Sequence, residues 1–311
     1  MTTSAAEQPP TLHRVTGQVT AVPPFSFAQS LHFLGGFPPT AGEQVFEQQA
    51  ITKALSIGGR AVVLRLQPAD PADSSTLTYT LWSAAPLSAA DQAAGADRIA
   101  FFLSLNDDLR PFYAIGEADP VFAPIIRQLY GLHQVKFPTP FENAAWAVLT
   151  QRNRMDIAAN MKGRLIERYG PRLTVDGTPY AAFPEPAVLA TAAPGDLAAL
   201  VGTPRRAEYL QAVAEAFAGA DEEWLRHGPY DAVNAWLQGV RGLGPWSAGF
   251  VMLRGLGHMA QLPPGEESRR NAAIARTYGN GRQPSPDRLR AIMDPYGPWI
   301  GYWAYYLRVA G

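Results

Sequence analysis

Three stretches in the first hundred or so residues alternate apolar and polar positions with the two-residue period of a strand: VTGQVTAV, AVVLRLQ and TLTYTLW. Gly58-Gly59 and the run PADPADSS supply turns, so the sequence predicts a small antiparallel sheet from about Thr11 to Arg110. Inside that region PFSFAQSLHFLGGFPP places Leu31, Phe33 and Leu34 on a short helix, and GADRIAFFLSL reads as a return to strand. Past residue 111 the period lengthens to that of helices. In PFENAAWAVLTQRN the positions Phe141, Ala144, Ala145, Val148 and Leu149 recur three and four apart behind a Thr139-Pro140 start signal. Ile157, Met161 and Leu165 form a second stripe, ended by Gly170 and Pro171, and Leu210, Val213 and Phe217 form a third. The expected class is therefore α+β, with a polar tail at 1–10, a sheet domain at 11–110 and an all-helical core at 111–311.

Within the core, an apolar helix through Trp236 and Leu237 runs into VRGLG, and Pro245 opens a second helix at a favoured first-turn position. This is the pattern of a helix-hairpin-helix, at about 231–257. Backbone N–H groups at the start of the second helix have no intrahelical partner, so such a hairpin can cradle a phosphate. A GxG between helices also serves as a plain interhelical turn, and the pattern alone leaves both readings open.

Composition narrows the chemistry. A chain of 311 residues with 47% hydrophobic content can bury a substantial core. The absence of cysteine excludes disulfides, thiolate zinc sites, iron-sulfur clusters and cysteine nucleophiles. His13, His32, His133, His227 and His258 are scattered, so no metal site built from side chains is expected. The first residues carry no basic start and no apolar run, and no long apolar stretch follows, so a soluble, cytoplasmic, monomeric protein is expected. A net charge of −1 excludes bulk attraction to nucleic acid, but the positive charge is nearly all arginine. It concentrates at Arg152 and Arg154, Arg164 and Arg168, Arg205 and Arg206, and Arg269 and Arg270, in a form suited to phosphate contacts or to solvated helix faces.

LQGVRGLGPWSAGFVMLRGLG followed by LPPGE resembles the signature of the helix-hairpin-helix DNA glycosylases, specifically the DNA-3-methyladenine glycosylase II family. FENAAWAVLTQRN, FPEPAVLATAAPGDLAAL, RRAEYLQAVAEAF and PWIGYWAYYLR are similar to successive blocks of that family, and PFSFAQSLHFL to the start of its TATA-binding-protein-like sheet domain. The resemblance implies base excision repair of alkylated bases in double-stranded DNA. It implies a phosphate grip by Arg241, Gly242, Leu243 and Gly244, with a monovalent cation on nearby carbonyls as an optional helper. Trp246 and Phe250, four apart on one helix face, would line a pocket for an extruded base with Phe33 opposite. The turn Gln151-Arg152-Asn153 stands where the family carries its DNA-intercalating wedge, which makes Gln151 and Arg152 DNA contacts. Glu266 stands where the family's loop delivers its catalytic aspartate, with Glu267 beside it, and Arg308 and Val309 stand where the family has pocket aromatics. Strand-cleaving relatives carry a lysine where this chain has Trp246, so a monofunctional enzyme that leaves an abasic site is implied. The longer glutamate leaves the alternative of a damage-binding protein without turnover, and the polar turn at Gln151-Arg152-Asn153 that of a glycosylase for oxidised or deaminated bases.

Overall fold

The computed structural model describes residues 12–71, 73–264 and 267–311; Glu266, the candidate catalytic carboxylate, lies outside the described residues. Strands β1 (His13–Thr20), β2 (Gln44–Glu47), β3 (Ala50–Ile57), β4 (Arg60–Asp70) and β5 (Asp73–Ser83) form an antiparallel sheet in the order β1-β5-β4-β3-β2. β4 pairs β3 from Leu66 against Ile51 to Arg60 against Ile57, across a turn in which Gly58 and Gly59 both take positive φ. β3 has no alternating pattern to read, because seven of its eight residues are buried. Helix α1 (Phe27–Gly35), capped by Ser26, and helix α2 (Ala89–Phe102) cover one face of the sheet.

GADRIAFFLSL is thus helical where a strand was expected. Ser88 and Asp91 form a reciprocal capping box that starts α2, and Ile99, Phe102 and Leu103 then fall on one helix face against Leu64, Leu66 and Leu81. The all-helical expectation for the remainder also needs correction. Strands β6 (Arg172–Val175) and β7 (Thr178–Ala181) form a hairpin around Asp176-Gly177, both at positive φ. Its Leu173 and Val175 pack on Ala61 and Val63, so β4 is buried on both faces.

Beyond the sheet come helices α3 (Arg110–Ala118), α4 (Ala123–Gln128), α5 (Pro140–Leu149), α6 (Met155–Tyr169), α7 (Pro186–Ala190), α8 (Pro194–Val201), α9 (Pro204–Ala218) and α10 (Glu222–His227). They continue with α11 (Tyr230–Gly239), α12 (Pro245–Phe250), a π-helical continuation over Val251–Leu256, α13 (Glu267–Tyr278), α14 (Pro286–Met293) and α15 (Ile300–Ala310). Two cores result. One runs through α5, α6, α9, α11 and α12; the other joins α3 and α4 to α13 and α15 around Trp303, Tyr302 and Tyr306. α5 is buried on every side, so its apolar stripe marks only the best-packed of its faces.

At the end of α1, Phe33 packs against both the sheet core and the α15 core, while Phe37 packs against the sheet core and the α5 core. The three cores therefore meet at these two rings. A second fastening is ionic: Lys162 of α6, 1% exposed at its side chain, donates to Glu142 of α5 at 2.6 Å, to the Pro39 carbonyl at 2.8 Å and to Glu43 from the sheet side. Burial disfavours the ammonium, but the two carboxylates outweigh burial and raise the Lys162 pKa.

Candidate functional site

Val233 and Leu237 pin α11 to the core, and the chain reverses at Val240–Gly244 before Pro245 starts α12. Gly242 sits at φ +100, and a Cβ there would lie 2.6 Å from the Tyr209 Cβ, so this turn requires glycine. Leu243 is buried and holds the turn down, leaving Gly242 and Gly244 toward solvent. Gln151, Arg152, Arg205, Arg206, Arg241 and the hairpin backbone line an open groove of about 700 Å³, with no carboxylate among the described lining residues. Arg241 meets Glu208 at 2.6 Å in an exposed pair, so part of its charge is neutralised locally.

Gln151, expected from the sequence to contact DNA, is half-exposed at the edge of this groove, and its side chain also reaches the hairpin. Gln151 Nε2 donates to the Gly242 carbonyl at 2.7 Å, and the Gln151 carbonyl accepts from Arg206 at 3.4 Å. The turn between α5 and α6 is thereby tied to the hairpin. At its apex Arg152 is exposed and held at φ +56, a conformation seldom taken by residues with a Cβ.

Trp246 and Phe250 lie stacked, with ring centroids 5.4 Å apart and planes 10° from parallel, and both are half-buried. From Phe250 a chain of ring contacts runs through Phe137 (6.5 Å), Phe37 (5.4 Å) and Phe33 (5.2 Å) to Tyr305 (5.5 Å). Phe33 thus belongs to the same aromatic wall as the α12 pair but reaches it through Phe37 and Phe137, which no pattern in the sequence singles out. Arg254 continues the spacing of four along the helix after Trp246 and Phe250. It is 2% exposed, donates to the Val135 carbonyl at 3.1 Å, and lies over the rings of Phe33, Phe37 and Tyr305. Its spacing was a usable signal.

The loop after the π-helical segment returns to α12. A Cβ on Gly249 would sit 2.6 Å from the Pro263 Cβ and 3.0 Å from the Pro264 Cδ, so the two prolines of LPPGE press on the helix between Trp246 and Phe250. The described chain thus arrives beside the aromatic pair two residues before Glu266. The chain's three lysines lie elsewhere: Lys53, Lys136 and Lys162 are 2%, 6% and 1% exposed, with Lys53 against Phe102 and Lys136 against Phe101. No helix of the described residues is long and apolar enough to cross a membrane.

These features agree with known proteins. The family description "HhH-GPD superfamily base excision DNA repair protein" matches residues 145–297, which hold the α5–α6 turn, the hairpin and the proline loop. A DNA-3-methyladenine glycosylase of Bacillus subtilis is 29% identical over 209 residues, 66% of this chain and 68% of that protein. DNA-3-methyladenine glycosylase 2 of Escherichia coli is 29% identical over 162 residues, 52% of this chain and 54% of that protein, so the chain matches about half its length. Among solved structures, the 3-methyladenine DNA-glycosylase from Archaeoglobus fulgidus superposes with a TM-score of 0.78 at 19% identity, covering 94% of this chain and 97% of that one. The sheet followed by a helical core is the architecture of that enzyme, and the hairpin, the α5–α6 turn and the proline loop all fall within the matched segment. Over residues 145–297 the chain belongs to the HhH-GPD superfamily of base excision DNA repair proteins.

Proposed function

We propose that the protein is a monofunctional DNA N-glycosylase that extrudes one alkylated base from duplex DNA, breaks its N-glycosidic bond and leaves an abasic site. The observation that carries this reading is the stacked Trp246–Phe250 pair, set between an arginine-lined hairpin groove and the proline loop that leads to Glu266. Hairpin N–H groups and Arg205 hold phosphates, Arg152 fills the space left by the extruded base, and the aromatic faces receive an electron-poor purine.

Bond breaking builds positive charge on the sugar, and the Glu266 carboxylate stabilises it. At about 4 Å and an effective dielectric near 20 that attraction is on the order of 4 kcal/mol, roughly a thousandfold in rate. Glutamate is one methylene longer than the family's aspartate, which favours alkylpurines that are already cationic and leave easily. All three lysines are buried, so no exposed ε-amine is available for a sugar imine, which supports hydrolysis without strand cleavage. A monovalent cation at the hairpin would draw on the Val240 and Gly242 carbonyls. These already accept from Leu243 N–H and Gln151 Nε2 but keep a second lone pair each, so the donor set is compatible with the ion.

Release of free base from methylated duplex DNA tests the reading. We expect release by the wild type, loss of at least about a hundredfold in Glu266→Gln and little change in Glu267→Gln. Binding of methylated duplex with no release at high enzyme would instead establish a damage-binding protein.

A further inference from the structure

A smaller cavity of about 270 Å³ borders the proline loop at Leu262 and Pro263, walled by the π-helical segment, α13 and α15. Pro263 is common to both places, since it presses on Gly249 and also lines this cavity. The polar lining has one sign. Arg254, Arg270, Arg276 and Arg308 border the cavity, and no carboxylate does among the described residues. Tyr305 supplies a ring face, with the Arg254 and Arg308 guanidinium groups 5.0 and 5.6 Å from its centroid.

Gln134 adds an acceptor to these donors. It is fully buried, its Nε2 donates to the Leu253 carbonyl at 2.8 Å, and its Oε1 has no partner among the described residues. Arg270 Nε is likewise buried and has no partner among the described residues. Buried polar atoms are rarely left unpaired, so a donor and an acceptor unmet at one cavity point to a ligand that supplies both complements. An anion would answer the arginines but not the Gln134 oxygen.

We infer that this cavity reads the edge of an extruded oxopurine, so that alkylated guanine is taken in preference to alkylated adenine. The inference rests on the glycosylase reading above. Guanine presents the O6 carbonyl beside the N1–H: the carbonyl accepts from guanidinium, the half of the O6/N7 pairing with arginine that survives methylation at N7, and the N1–H donates to Gln134 Oε1. Adenine presents an amino group and a bare ring nitrogen in the same places. Its amino hydrogens meet guanidinium donors, and Gln134 meets a second acceptor. Charge does not make the distinction, because N7-methylguanine and N3-methyladenine in DNA are both cationic.

Duplex DNA methylated with dimethyl sulfate carries both bases, and chromatography of the released bases gives an enzymatic rate for each. Each rate is divided by the spontaneous loss of that base. The expected result is a larger enhancement for N7-methylguanine, and a guanine-to-adenine ratio of enhancements that falls about tenfold in Arg308→Met. Arg276→Met, at a second exposed position, is expected to shift the ratio the same way, and thermal melts report whether each variant is folded. An equal or larger enhancement for N3-methyladenine, or a ratio unchanged in both folded variants, overturns the inference and leaves the glycosylase reading intact. Release of neither base overturns both.

Discussion

A single missing methyl group shapes the site at Gly249. Its hydrogen faces two proline rings, which are stiff, so an added Cβ cannot be relieved by a rotamer change. Gly249→Ala is expected to push the proline loop off α12, at a cost of about 1–3 kcal/mol in overpacking. On the proposed mechanism this moves Glu266 away from the sugar, and a displacement near 1 Å is enough for roughly a hundredfold loss of turnover. Single-turnover base release together with a thermal melt checks it: a folded Gly249→Ala with wild-type rates would mean that the loop's seat on the helix does not govern the carboxylate. In the sequence, Gly249 was one glycine among several in PWSAGFVMLRGLG. Its neighbour Pro263 lies fourteen positions on, and no periodicity relates the two.

Among the elements, the hairpin was the most legible, because two glycines and a helix-opening proline leave the backbone few alternatives. The α5–α6 turn was legible only in part. Its position followed from the end of the α5 pattern, but the direction of Gln151 depends on a carbonyl 91 residues away. That contact predicts coupling. Gln151→Ala removes one hydrogen bond of about 1 kcal/mol and frees Arg152 to leave its left-handed backbone conformation. We expect a fall of about fivefold to tenfold in single-turnover release from Gln151→Ala, a larger fall from Arg152→Ala, and almost no further loss when Gln151→Ala is added to Arg152→Ala. Additive losses in the double variant would show that Gln151 acts on DNA directly.

Two of the missed elements share a physical reason. β3 is buried on both faces and α2 presents the run IAFF, so neither displays the contrast between buried and exposed positions that periodicity detects. The α2 capping box and the Asp176-Gly177 turn were the local signals that outweighed the apolar run and the helical surroundings.

At the scale of the whole molecule, the aromatic wall crosses the place where three cores meet, so its geometry depends on how the sheet sits against the helices. Lys162 fastens that arrangement, and the sequence could not show it because Glu43, Glu142 and Lys162 lie on separate elements. Lys162→Met is expected to destabilise the fold by about 3–5 kcal/mol in urea, since it strands two buried carboxylates; a loss below ~1 kcal/mol would mean that they relax or take up protons freely. The pH dependence has a definite sign. The Lys162 pKa is raised above 10.5 in the fold, so its contribution is complete below 10.5 and is lost as pH rises through the folded value. The urea midpoint should therefore drop more steeply above 10.5 in the wild type than in Lys162→Met.

The three buried lysines have one further effect. An abasic sugar in equilibrium with its open form is an aldehyde, and aldehydes condense with primary amines. The side chains on this protein's surface offer no primary amine, only guanidinium groups that stay protonated and are poor nucleophiles. On the proposed reaction, the enzyme can therefore remain on its own product, shielding the damaged strand until the next repair step, without being captured through a lysine side chain.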